Sequence, residues 1–269
     1  MKVAQERDFY KLHDLSEDEV TYLNDFCAPQ PERLRTTNMR WVKVFTRLFD
    51  LQRSLVEQGM DREVVAQLID EAAIDYEEQL QGDIEQASIH QLDALQIGDA
   101  SFYNEVKEKV RFLHYICVQY MRTKKRKTCA LEGPGRIMTV NPENIWNVLA
   151  HILATSLGQS LIAGDYQLYF LKADGEEVFV TSDQPVINIH STFTGVTEAP
   201  KELDLYYPVS PKRAVLIASE PPENSKLSDQ EVREYNRHMM LQAHAMLFAH
   251  QKTVLDLFIA ASASPLREA

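Results

Sequence analysis

The hydrophobic period of this chain changes once, near Gly164, and that change limits the fold more than any other feature. Ahead of it, apolar residues recur every three or four positions, as on one face of a helix. In NMRWVKVFTRLFDLQRSLVEQGM, Trp41, Val44, Phe45, Leu48, Leu51 and Leu55 share such a face, and Gly59 is a natural stop. Ser16 and Glu19 have capping-box spacing ahead of a short helix ending near Phe26. DREVVAQLIDEAAIDYEEQLQ places Val64, Val65, Leu68, Ala72 and Tyr76 together; Gly82 is a candidate break, with helix resuming beyond it. SFYNEVKEKVRFLHYICVQYMRTKKRKT carries the clearest stripe: Phe102, Val106, Val110, Leu113, Cys117, Tyr120 and Met121. A loop at Pro134 and Gly135 follows, then Asn141 caps a helix with Pro142 at its first position, running to about Leu157.

Beyond Gly164 the chain reads as strands. YQLYFLKADGEEVFVTSD predicts a hairpin about Asp174-Gly175. VINIHSTF, a polar loop, LDLYYPVS and RAVLIAS add further strands, and their close succession predicts an antiparallel sheet. SKLSDQEVREYNRHMMLQAHAMLFAH predicts a long C-terminal helix opened by a Ser228/Glu231 capping box, with Val232, Tyr235, Met239, Ala243, Met246 and Leu247 inward. TVLDLFIAASA is a last strand or short helix. The expected fold is α+β: a single domain with a helical part, 1–160, packed on a small antiparallel sheet and helix, 161–269.

A chain of 269 residues with 45% hydrophobic side chains is long enough to bury a sizeable core. Its net charge of −12 opposes non-specific binding of nucleic acid by the whole surface. Three cysteines without metal-ligand spacing, and an N-terminus with no apolar leader, predict reduced thiols in a cytoplasmic protein. No uninterrupted apolar run approaches the roughly 20 residues that cross a bilayer, so no membrane is expected as a partner.

Local charge is uneven. Asp61 to Asp99 holds eleven acidic residues and one basic one, which reads as a solvated helix face or as a surface for a basic partner. Arg122, Lys124, Lys125, Arg126 and Lys127 form a basic run at an expected helix end. There it complements the helix dipole or contacts phosphate and nucleic acid. Tyr115, Gln119, Arg122 and Arg126 fall on one row opposite the apolar stripe, where guanidiniums could clamp a phosphate or pair with a carboxylate. In VFVTSDQPVINI, Ser182 and Asp183 stand at a strand end, as a turn ahead of Pro185 or as a rigidly held polar site. No nucleophile elbow, P-loop or H-E-x-x-H is present. His114 and His151 read as isolated, and Glu77 and Glu78 as surface charge. His238, His244 and His250, spaced by six on one helix, do not make a metal face.

Four stretches in order resemble the bacterial family Domain of Unknown Function 4238: DIEQASIHQLDAL, FLHYICVQYMRTKKR, VFVTSDQPV with YYPVSPKRAVLI, and VREYNRHMMLQAHAMLFA. They cover roughly residues 70–250. The resemblance implies that Glu85, Gln119, Arg122, Ser182, Asp183 and Asn236 converge, with Arg122 turned inward toward Asp183 or Glu85. It also implies a loose association with conflict between bacteria and phage. Members usually begin with a His-x-x-Pro-Gln stretch; here Pro29-Gln30 follows Phe26, and MKVAQERDFY stands at the start. Two functions stay open. One is a non-catalytic interaction or regulatory protein, with a protein partner and a buried Glu-Gln-Arg-Asp network. The other is a metal-dependent hydrolase of nuclease type. There Asp183, Glu85 and Arg122 are catalytic, Gln119, Ser182, Asn236 and Arg126 bind, and the divalent metal is unidentified.

Overall fold

A computed structural model of the chain describes residues 11–132, 140–191, 202–252 and 255. The N-terminal stretch, the Pro134-Gly135 loop, the polar loop after Ser191 and the TVLDLFIAASA segment, save Leu255, lie outside them. The fold is α+β, with a helical N-terminal half and a small sheet. The chain divides into two compact units. The first holds Met1–Ile89, Val110–Arg122 and Arg126–Ser160; the second holds His90–Lys109, Thr123–Lys125 and Leu161–Ala269.

In the first unit, α1 (Glu17–Cys27) opens with the expected capping box: Ser16 accepts the Glu19 N–H, and Glu19 accepts the Ser16 N–H. α2 (Glu32–Glu57) ends at Gly59, whose φ of +89° suits glycine. α3 (Arg62–Ile97) passes Gly82 unbroken and stops at Gly98. Its buried row is Val65, Ile69 and Ala73: of the predicted face, Val65 is buried and Tyr76 packs against the core. Val64 and Leu68 are 54% and 55% exposed. That part of the predicted face is one residue, about 100°, out of phase. α4 (Val106–Met121) also differs: Val106 and Val110 are exposed, while Tyr115 and Gln119, expected to line a cleft, are buried with Phe112, Leu113 and Ile116.

The single helix expected through the basic run is broken at Arg122–Thr123, and α5 (Lys124–Glu132) starts afresh. The row Tyr115–Gln119–Arg122–Arg126 thus does not exist on one helix. α6 (Pro142–Ala163) begins as expected, with Asn141 accepting the Glu143 N–H. It is long and apolar enough to cross a membrane by averaged hydropathy, although no run of letters suggested it. More than half of that stretch is buried inside the protein. The unit's core joins Leu23, Phe45, Val65, Ile69, Ile145, Trp146 and Ile152.

In the second unit a five-stranded sheet has the order β3 (Ile187–Asn188), β4 (Leu205–Ser210), β5 (Arg213–Ala218), β1 (Gln167–Ala173), β6 (Lys226–Leu227). All pairs are antiparallel except β1 with β6, which is parallel, so the sheet is mixed rather than antiparallel. The predicted hairpin about Asp174-Gly175 does not form. β1 pairs with β5 instead, and 175–180 is not a strand. Its backbone bonds to a side chain: Asn236 donates to Val178 O at 2.8 Å and accepts the Val180 N–H at 3.0 Å. That amide supplies what a neighbouring strand would have supplied. The core here is Leu171, Phe179, Ile187, Tyr206, Leu216, Val232 and Met239.

The long C-terminal helix is shortened to α7 (Asp229–Gln242), again opened by its capping box at Ser228 and Glu231. The chain leaves helix at Ala243, where ψ is 147°, and pairs β7 (Leu247–Phe248) with β2 (Thr181–Ser182). His244 and His250 therefore lie off the helix that carries His238.

Candidate functional site

The expected site residues fall into two groups, one in each unit. In the helical unit, Glu85 on α3 meets Gln119 on α4 and Arg122 just beyond it. Arg122 Nη2 lies 3.0 Å from Glu85 Oε1, Gln119 Nε2 donates to the same oxygen at 3.2 Å, and Arg122 Nε donates to Gln119 Oε1 at 3.4 Å. The carboxylate is half exposed and the guanidinium about a quarter exposed. Water screens the pair, so it contributes at most about 1 kcal/mol. Arg126 lies elsewhere, with its guanidinium carbon 3.9 Å above the Tyr120 ring.

In the sheet unit, Asp183 is held by backbone. Its Oδ1 accepts the His244 N–H at 2.9 Å, and its Oδ2 accepts those of Ala245 and Met246 at 2.8 and 3.2 Å. The Asp183 N–H donates to Met246 O at 3.1 Å. One carboxylate thus collects three successive amides of the chain that follows α7. Charge-assisted bonds of this kind are the stronger ones. Lys125 works on the other side of the same break, donating to Leu241 O and Ala243 O at 2.8 and 3.1 Å. A cation there complements the helix C-terminus. Together they explain why α7 ends where its sequence does not.

Ser182 beside it is buried. Its hydroxyl accepts the Gln184 N–H at 3.1 Å and lies 3.2 Å from Met239 Sδ. Gln184 in turn accepts the Thr123 hydroxyl and donates to Val186 O at 2.8 Å. Asn236 is committed to residues 178 and 180, as described. Lys124 is exposed and Lys127 half-buried on α5.

A third group was not expected. Val65, Ile69 and Ala73 continue along the inner row of α3 to Glu77 and Gln81, which are 2% and 4% exposed. Across from them stands His151 of α6, also 2% exposed. Gln81 Nε2 donates to Glu77 Oε1 at 2.9 Å, and His151 Nε2 lies 3.3 Å from that oxygen and 3.4 Å from Gln81 Nε2. Trp41 stacks on His151 with centroids 4.5 Å apart and on His114 at 5.8 Å. Glu77 Oε2, Gln81 Oε1 and His151 Nδ1 are buried without a hydrogen-bond partner. Burial, with a smaller electrostatic contribution from neighbouring His151, lowers the His114 pKa to about 4. The signal lay in the sequence: positions 65, 69, 73, 77 and 81 step by four.

Among the described residues, no three His, Cys, Asp or Glu side chains are grouped so as to hold a metal ion. No curated protein and no solved structure matches the chain. The family described as "Protein of unknown function (DUF4238)" matches residues 2–253, nearly the whole length. The order of motifs from Glu85 to Asn236 has its explanation there: the chain belongs to the DUF4238 family.

Proposed function

We propose that this chain is a non-catalytic interaction or regulatory protein, working in a bacterial conflict setting of the kind its family resemblance implies. The observation that carries the reading is the state of Asp183. Both of its oxygens already receive backbone N–H groups, three in all, so most of its acceptor capacity is spent on the turn after α7. Glu85 is likewise engaged by Arg122 and Gln119. In the basic run, Lys125 is committed to the end of α7 and Arg126 to the face of Tyr120, which leaves less of that run for phosphate.

The surface offered to a partner is the outer row of α3. Val64 and Leu68 are exposed, and Glu71, Asp75 and Glu78 follow on the same row at steps of three and four. An apolar step followed by three carboxylates suits a basic amphipathic segment of another protein. Incubation of the wild-type chain and Asp183→Asn with DNA and RNA in Mg²⁺ or Mn²⁺ tests the reading. Intact nucleic acid in every lane is expected. Cleavage by the wild type that Asp183→Asn or Glu85→Gln removes would overturn it in favour of a metal-dependent nuclease.

A further inference from the structure

Three features of α3 work against its own stability, and all three lie on one outward row. Val64, Leu68, Glu71, Asp75, Glu78, Gly82, Glu85 and Ile89 follow one another at alternating steps of four and three, and every one is exposed. Val64, Leu68 and Ile89 leave branched apolar side chains in water. Glu71, Asp75 and Glu78 stand one turn apart with the same charge, a spacing at which like charges weaken a helix. Among the described residues, none of these three carboxylates has an ion-pair partner. Gly82 is a poor helix former in the middle of a long helix.

The glycine is the most telling of them. Its backbone is ordinary helix, so no left-handed turn requires it. A Cβ at that position would meet nothing within 4 Å, so no neighbour among the described residues requires it either. Glycine at an exposed, unobstructed helical position leaves room for a second backbone to come close. The four-three alternation gives the shape of that second element. It is the spacing by which one helix meets another at a shallow angle, whereas a strand repeats every two residues. The charges give its sign. A second copy of this chain would set each carboxylate against itself when parallel, and Asp75 against Glu78 when antiparallel. Nucleic acid and an anionic membrane surface are repelled as well. A cationic helix with apolar residues at the ends of its contact row meets every feature.

We propose that the outer row of α3, from Val64 to Ile89, docks one basic α-helix of another protein, with the two helices closest at Gly82. This deepens the interaction reading and rests on it. The row extends roughly 38 Å, about seven turns. The partner helix carries lysine or arginine opposite Glu71, Asp75 and Glu78, and apolar side chains opposite Val64, Leu68 and Ile89. Glu85 is already held by Arg122 and Gln119, so it adds little to the attraction. Docking relieves all three costs at once: it covers the apolar ends, pairs the charges and uses the room above Gly82.

The probe is a synthetic alanine-based helical peptide about seven turns long, with leucine at both ends of a four-three row and lysine between. Its control has the same composition with the row shuffled. Fluorescence anisotropy of the labelled peptide with the full chain, at physiological salt, is expected to show binding at least about tenfold tighter than the control. Asp75→Lys and Gly82→Leu should each weaken it by about tenfold or more, the second by filling the approach. Gly82→Ala should melt at or above the wild-type temperature, because alanine is the better helix former. No binding, equal binding of both peptides, or binding unchanged in Gly82→Leu would overturn the docking row while the non-catalytic reading stands. Cleavage of nucleic acid removes that reading instead. A lower melting temperature for Gly82→Ala would show that the glycine serves the fold, and would overturn the proposal as well. A dimer in light scattering that Asp75→Lys abolishes would put a second copy in the partner's place.

Discussion

At Asp183 in the sheet unit, both carboxylate oxygens receive backbone N–H groups, three in all. At Glu77 in the helical unit, one oxygen receives the Gln81 amide and the other receives nothing, although the side chain is far more deeply buried. The difference separates two uses of a carboxylate. A satisfied one braces the fold, and its removal exposes the amides it served. An unsatisfied one in a core costs stability, and a chain retains it because something else needs it. Asp183 looks like a site from its letters and behaves as a brace. Glu77 looks like surface charge and sits in the core.

The sharpest way to break that contrast is Asp183→Ala. Three amides lose their acceptor, and the turn after α7 and the β2–β7 pair lose their anchor. A loss of about 3 kcal/mol is expected, read as a melting temperature lower by several degrees. Asp183→Asn keeps one acceptor and should lie between. A variant as stable as the wild type would show that water replaces the carboxylate at no cost.

Acid is the next largest effect, and it acts on the helical unit. The His114 pKa lies at about 4 in the fold, below its ordinary 6.5. As pH falls through 6.5 the unfolded chain takes up a proton that the folded chain refuses until pH 4. Stability is therefore complete above 6.5 and lost between there and 4, by about 2 kcal/mol at pH 5. His114→Phe should flatten that slope when melting temperatures at pH 7.5 and 5 are compared.

Much of the fold was legible because its causes are local. The capping boxes at Ser16 and Ser228, the stop at Gly59 and the change of period near Gly164 each act within a few residues. The misreadings share a physical origin in distant partners. α7 ends because Asp183, some sixty positions away, captures the amides beyond it. Val178–Val180 is not a strand because a side chain, Asn236, is its partner. On α3 the true inner row contains Glu77 and Gln81. A hydrophobic pattern prefers the neighbouring row with Val64 and Leu68, so it rotated the helix and lost the buried cluster. Of the expected site, Glu85, Gln119 and Arg122 do meet.

The same contrast predicts an inverted sign at the buried cluster. Glu77→Met combined with Gln81→Leu and His151→Phe removes an underused carboxylate together with the amide and the imidazole that face it. All three become apolar together, so no polar group of the cluster is stranded. The triple variant should melt at the wild-type temperature or above it, by up to about 1 kcal/mol. A marked loss would mean that the cluster is already satisfied, and the comparison with Asp183 would fail.

The smallest effect belongs to the ion pair that the sequence reading placed at the centre. Glu85→Gln leaves Arg122 and Gln119 able to bond to the new amide oxygen, in a place that water reaches. A change of about 0.5 kcal/mol or less is expected, close to the error of a thermal melt. It should shrink further in 1 M salt, where exposed charges are screened over about 3 Å. A loss of 2 kcal/mol or more would give Glu85 the character of Asp183, a brace whose removal strands a partner. The helical unit would then depend on its half-exposed charges more than on the core row of α3.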